Sequence, residues 1–253
     1  MRASRAVELD VFPLLSLIRK ENLGEPHVIF AGGERYVSPR FADEAEQVLR
    51  QELADSGLGD PGNYREFLGS LTVIQQAGVE YYGWVTTTDE SYAVLAGASD
   101  QACVTVVRSG ARVLFDRVDP ERLLDGLVYR LPDINPARGD AISVSAADFS
   151  GPRGRAEGSV MRRSVAARPE GARRLDALLK APRHAITKLY AAKRDASGAR
   201  YRSPQWVTVL DTSDGGRWLI HVTQVRGERW IHATPGTPRF IAGKLIELAA
   251  TAR

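Results

Sequence analysis

The feature that most constrains this chain is a change of hydrophobic period that happens twice. Up to about residue 71 the apolar residues recur at helical spacing, as in Phe12, Leu15 and Ile18, which places them on one face of a helix. From residue 79 the period drops to two. Segments 79–87, 92–98, 102–108 and 112–118 alternate in this way, separated by Thr88-Asp89-Glu90, Ser99-Asp100 and Ser109-Gly110. Short strands at regular spacing predict an antiparallel meander. Asp119-Pro120 then opens a helix with Leu123, Leu124, Leu127, Val128 and Leu131 inward, and Pro132 stops it.

The same order returns in the second half. A helix over 172–180 precedes strands at 184–192, 205–211, 217–224 and 228–234. Thr237-Pro238 opens a last helix with Phe240, Ile241, Leu245 and Leu248 inward. The repeat is too long for a stacked solenoid and indicates duplication. Two units of helix, four strands and helix can join their sheets about a pseudo-twofold axis. The expected fold is α/β in the broad sense (α+β): a central antiparallel β-sheet with helical bundles, in two quasi-twofold related halves. One domain spans 1–253, with an N-terminal half at 1–149, a flexible basic connector at 150–171 and a C-terminal half at 172–253.

Smaller elements fill the gaps. Residues 7–9 read as a short edge strand, 26–33 as an extended turn region and 141–144 as a short strand. Ser38 and Pro39 cap and start a helix whose stripe is Phe41, Ala45, Val48, Leu49 and Leu53, and which ends at Gly57. A short helix over 63–71 turns Phe67, Leu68 and Leu71 inward.

Composition narrows the function classes. The single Cys103 excludes an internal disulfide framework and any C-x-x-C zinc site. No window approaches the roughly 18 apolar residues of a membrane helix. The apolar stretch 11–18 follows Glu8 and Asp10, a poor signal peptide, so the expected location is cytoplasmic, with no membrane partner. Net charge is +3, yet 152–202 holds 14 Lys+Arg and 4 Asp+Glu, a local +10 that leaves −7 for the remainder. A basic segment of this kind can bind nucleic acid. Its few aromatics and the lack of an RNA-binding signature favour a solvated linker instead.

The search for chemistry returns little. Gly57-Leu58-Gly59-Asp60-Pro61-Gly62 matches G-x-G-x-x-G, but it follows a helix rather than a strand. It reads as a helix C-cap and turn. The loop from Asp211 to Arg217 lacks the terminal Glu of a calcium loop, Val222 standing there instead. A two-residue turn at Arg226-Gly227 would pair His221 with His232 and Thr223 with Trp230. One face of that hairpin then carries His221, Thr223, Trp230 and His232. The other carries Trp218, Ile220, Val222, Ile231 and Ala233 and reads as core. Two cross-strand histidines can hold a metal, but no third ligand is evident. A partner surface or a plain half-exposed sheet face are the other readings. Cys103 reads as a small buried hydrophobe. No convergent acid, base and nucleophile set emerges, so neither catalytic residues nor a cofactor are expected.

Several motifs together carry a resemblance. They are the helix FADEAEQVLRQELADSGL ending in Gly57-Leu58, the stretch from Ala93 to Phe115, and the leucine-rich helix stopping at Leu131-Pro132. The closest are the hairpin with Arg194-Asp195, Gly198 and Arg200–Arg202, and the turn with Asp211-Thr212 and Gly216-Arg217. In this order, over about 200 residues, they resemble the EspG family of ESX (type VII) secretion-associated proteins of actinobacteria. The resemblance implies the same sheet, bundles and quasi-twofold halves. It implies a cytosolic chaperone rather than an enzyme, one that holds helical secretion substrates and confers choice of secretion system. The substrate is typically the PPE partner of a PE–PPE heterodimer, with a WXG-type helical hairpin as the alternative. By element, the implied contacts are the open sheet, the loop after the first long strand and the C-terminal helical part. The expected partner-binding residues are Trp84, Thr86, Thr87, Asp89, Glu90, His221, Thr223, Trp230 and His232, with core packing the competing reading for Trp84. A nucleic-acid binder using 152–202 and an enzyme on an unfamiliar α/β scaffold are the alternatives, and a homodimer stays open.

Overall fold

Val, Thr and Tyr at period two build strands because their branched or aromatic side chains pack well on a pleated surface. The computed structural model describes residues 6–33, 42–100, 102–151 and 168–252. Ser38, Pro39, Phe41 and 152–167 of the connector lie outside them. Among the described residues eleven strands form one sheet. They are β1 (Val7–Asp10), β2 (Val79–Thr87), β3 (Ser91–Ala98), β4 (Cys103–Ser109), β5 (Arg112–Val118), β6 (Ile142–Ser145), β7 (Arg183–Arg194), β8 (Arg200–Arg202), β9 (Val207–Thr212), β10 (Gly216–Val225) and β11 (Glu228–Pro235). The order is β1-β5-β4-β3-β2-β7-β9-β10-β11-β6, with β8 alongside β7, and every ladder is antiparallel.

The centre of this order is the pair β2–β7. Outward from it run β2, β3, β4, β5 and then short β1 on one side. On the other run β7, β9, β10, β11 and then short β6. The two arms follow one plan, as the repeated period predicts. At the joint the backbones come close: a Cβ on Gly83 would collide with the Lys188 carbonyl oxygen.

Seven helices accompany the sheet among the described residues: α1 (Val11–Lys20), α2 (Ala42–Asp55), α3 (Pro61–Gln75), α4 (Leu123–Tyr129), α5 (Ala146–Ser150), α6 (Glu170–Lys180) and α7 (Pro238–Thr251). One sheet face is covered by α4 and α7, whose Leu127, Ile241 and Leu245 pack with Val85, Val94, Leu189, Val209 and Leu219. The opposite face is covered in two separate places. Over the N-terminal arm, Leu14, Leu49, Phe67 and Ile74 of α1–α3 meet Tyr82, Leu95, Val106 and Phe115. Over the C-terminal arm, Ala172 and Leu175 of α6 meet Val144, Leu210, Trp218 and Ala233.

Several boundaries move for stated reasons. The helix expected at 63–71 is α3 and begins at Pro61, because Asp60 Oδ1 accepts from the Gly62 and Asn63 amides at 2.8 and 3.0 Å. Gly57, with φ +76°, ends α2. The G-x-G-x-x-G match is thus one helix end and one helix start. Asp119 makes no side-chain cap; a single 3-10 turn (Pro120–Arg122) precedes α4 instead. Strand β8, three residues of the basic run, has no apolar alternation and was not expected from the pattern.

Candidate functional site

Residues in register across a sheet share a face. Trp84 pairs with Lys188, Lys188 with Thr208, Thr208 with Ile220, and Ile220 with Ala233. Beyond Trp84 the row continues to Ala93, under the α1–α3 layer, and at Ala233 it passes under α6. Between the two layers the face is uncovered, and there Trp84 is 41% and Trp206 49% exposed.

The uncovered strip carries Trp84, Tyr190 and Trp206, and this aromatic cluster continues under the α1–α3 layer through buried Tyr82. Tyr82 and Tyr190 are opposite each other in β2 and β7 and stack at 5.5 Å. Trp84 meets both edge-on at 5.8 Å, and Trp206 lies 6.2 Å from Tyr190. Such rings offer rigid apolar area at small entropic cost, the property of interface anchors. The Arg200 guanidinium sits 5.2 Å over Tyr82 and that of Arg202 5.5 Å over Tyr190, a favourable cation–π geometry.

A buried carboxylate holds this edge in place. Glu80 is 1% exposed. Its Oε1 accepts from His27 Nε2 at 3.1 Å and Arg200 Nε at 2.7 Å, and also from Arg200 Nη2. His27 Nδ1 accepts the Ile29 amide, so Nε2 carries the proton given to Glu80. Burial alone would raise the Glu80 carboxyl; His27 and then Arg200 outweigh it and hold it below the usual carboxylate range. The motifs that carried the resemblance do this bracing. Arg194 donates to the Gly198 and Gln75 carbonyls at 2.9 and 2.7 Å, while Asp195 Oδ1 accepts the Ser197 and Ala199 amides. Arg217 makes a buried two-pronged pair with Asp211 at 2.7 and 2.8 Å, and Thr212 Oγ1 donates to the Gly216 carbonyl.

The residues expected at a partner surface fall in two places. Trp84 and Thr86 are exposed on the uncovered face. Thr87 is spent on the turn: its Oγ1 accepts the Asp89 and Glu90 amides at 3.2 and 3.0 Å. Asp89 and Glu90 are exposed at the end of β2 and β3. The hairpin register is as expected, with His221 opposite His232 and Thr223 opposite Trp230. These four lie on the other face, however, the side of α7. His221 stacks on His232 at 4.9 Å and meets Phe240 of α7 at 6.1 Å. His232 bonds Ser143 and Thr223 at 2.9 and 2.8 Å. Burial, then Lys244 and His232, push His221 down to about 4. The structure therefore does not bring Trp84 and the histidine pair onto one surface. The face expected to be core is so at Trp218 and Ala233, but Val222 near the hairpin tip is 38% exposed. The sequence expectations leave out Tyr190 and Trp206 and name Arg200 and Arg202 only within a family-like motif; the signal available is a tyrosine and a tryptophan on either side of the basic run 200–202. Among the described residues no three His, Cys, Asp or Glu gather as metal ligands.

The model of the EspG family matches residues 13–247. The chain belongs to the EspG family. This EspG-family chain is also similar in fold to the Mycobacterium tuberculosis type VII secretion system chaperone EspG5, solved in complex with a PE25–PPE41 dimer. The TM-score is 0.63 at 16% identity, over 98% of this chain and 97% of that one. The resemblance read from the sequence and the expected α+β sheet architecture are both borne out. No curated protein sequence matches the chain.

Proposed function

We propose that this EspG-family chain is a cytosolic chaperone of type VII secretion. It keeps a helical substrate of the PE–PPE kind soluble by covering an apolar tip, and it is not an enzyme. The observation that carries this reading is the aromatic strip of Trp84, Tyr190 and Trp206 in the gap between two helical layers, backed by buried Tyr82. Half-exposed tryptophans on a rigid sheet suit an apolar helical tip, whereas a catalytic centre needs convergent reactive groups. Trp84, Thr86, Asp89 and Glu90 stand at this surface. The His221, Thr223, Trp230 and His232 face would meet a substrate only through contacts beside α7.

The test is co-expression of the tagged chain with PE–PPE pairs of its own genome, with retention after washing as the readout. A stoichiometric complex lost in the Trp84→Ala/Trp206→Ala double variant supports the reading. A complex retained in full by that variant would move the binding surface elsewhere. No retained pair at all would remove the proposed substrate class.

A further inference from the structure

The charges around the aromatic strip are unevenly placed. Side chains on this face of β2 are Glu80, Tyr82, Trp84 and Thr86, and those of β7 include Ile186, Lys188, Tyr190 and Ala192. β8 adds Arg200 and Arg202 and β9 adds Thr208 and Leu210. The one carboxylate among these is Glu80, and it is buried and already shared by His27 and Arg200. Lys188 and Arg202 are both exposed, and neither has an ion-pair partner among the described residues. Lys188 stands directly beside Trp84 in the register, and Arg202 lies over Tyr190. The exposed acid nearest in the chain, Asp195, closes the β7–β8 turn, where its Oδ1 accepts from the Ser197 amide and hydroxyl and the Ala199 amide, and it is outnumbered there by Arg194, Arg200 and Arg202. Asp89 and Glu90 sit in the turn at the far end of β2. By strand rise that is roughly 20 Å from the Arg200 end.

The strip is therefore apolar at its centre, cationic toward β8 and acidic at the β2–β3 turn. Cations left unpaired beside half-exposed rings repel a basic partner and attract an acidic one. We propose that the surface selects a helical partner whose apolar tip carries carboxylates on the side that lies over Lys188 and Arg202. This rests on the docking reading above and adds the charge of the partner and its direction. The carboxylates point toward β8 and away from Asp89 and Glu90. Arg200 contributes less, because Glu80 already holds it.

Two labelled helical-hairpin peptides with the same leucine and phenylalanine tip test this. One carries glutamates around the tip and the other lysines. The proposal expects the glutamate hairpin to bind at least about tenfold tighter at low salt, and the advantage to shrink as salt screens it. In Lys188→Glu/Arg202→Glu, two exposed positions, the preference should reverse. Equal affinity for both hairpins, or a preference unmoved by the charge reversal, would overturn the proposal. The Trp84→Ala/Trp206→Ala variant separates the two readings. If it loses both hairpins while the wild type binds them equally, the docking surface stands and the charge selection falls. If the wild type binds neither hairpin, both fall. Saturable, salt-sensitive binding of a mixed-sequence single-stranded RNA that displaces the glutamate hairpin would also overturn it, by making the strip a base-stacking surface.

Discussion

Glu80 and Arg200 stand 120 positions apart in the chain, yet Arg200 Nε donates to Glu80 Oε1 at 2.7 Å. That pair ties the β7–β8 hairpin to the middle of the sheet and sets one arginine over Tyr82. His27 Nε2 donates to the same oxygen and ties in the segment after α1. Three separate stretches of chain thus meet on one carboxylate at the edge of the aromatic strip.

Glu80→Gln should destabilise the fold by about 3 kcal/mol, the low end for breaking a buried pair, since Arg200 can turn partly to water. The urea midpoint measures it. The pair also implies an acid limb. With its folded pKa below the unfolded value, Glu80 binds its proton more readily when unfolded. Its contribution is full above the unfolded value of about 4.5 and is lost as pH falls through the lower folded value. Glu80→Gln should flatten that limb.

His221 titrates in a different window. Its folded value of about 4 lies under the unfolded 6.5. The unfolded chain therefore takes up the proton first, and stability falls between pH 6.5 and about 4. A shift this large on a fully buried ring would be worth about 3 kcal/mol; discounted for partial exposure it is about 1–2 kcal/mol. His221→Phe should reduce the slope in this window, the remainder belonging to His232, which burial and then Lys244 also hold below its ordinary value, and should leave the more acidic limb of Glu80 intact.

Gly83 has no room for a side chain at the β2–β7 joint. Gly83→Ala should cost about 1–3 kcal/mol, as overpacking does. It should also push apart Tyr82 and Tyr190, which pair on the neighbouring position. Chemical denaturation reads the first effect and near-ultraviolet circular dichroism the second.

Arg217 tests the reading of the family-like motif as structural. Its buried two-pronged contact with Asp211 also reaches the Pro132 carbonyl at 2.5 Å. Arg217→Ala should destabilise by about 3–5 kcal/mol. Arg217→Lys keeps the charge but cannot fork, and should recover only part of that loss. Neither change should alter which partner binds in the folded fraction.

The sheet was legible because period two is a local signal. The hairpin of β10 and β11 could be read to the residue because Arg226 and Gly227 both take positive φ, 51° and 86°, as a two-residue hairpin turn demands. The aromatic strip was only half legible. Trp84 stood out, but Tyr190 and Trp206 join it only through the β2–β7 register, and no turn connects those strands to set it. Which layer covers which face is also a long-range outcome. The histidine face carries polar groups and reads as open; α7 packs beside it because Phe240, Ile241 and Leu245 bring the helix back over Leu219. Arg200 and Arg202 sat within a charge run that looks like solvated surface, and only the fold places them over rings.

The central claim is that this chain holds a helical secretion substrate on the strip around Trp84 and Trp206. Affinity purification of the tagged chain from its native cytosol, beside its Trp84→Ala/Trp206→Ala variant, tests it most directly, with mass spectrometry of what is retained. The account predicts one small helical secretion substrate in stoichiometric amount with the wild type and its loss from the variant. The same substrate on both proteins, or nucleic-acid-dependent proteins alone on the wild type, would contradict it.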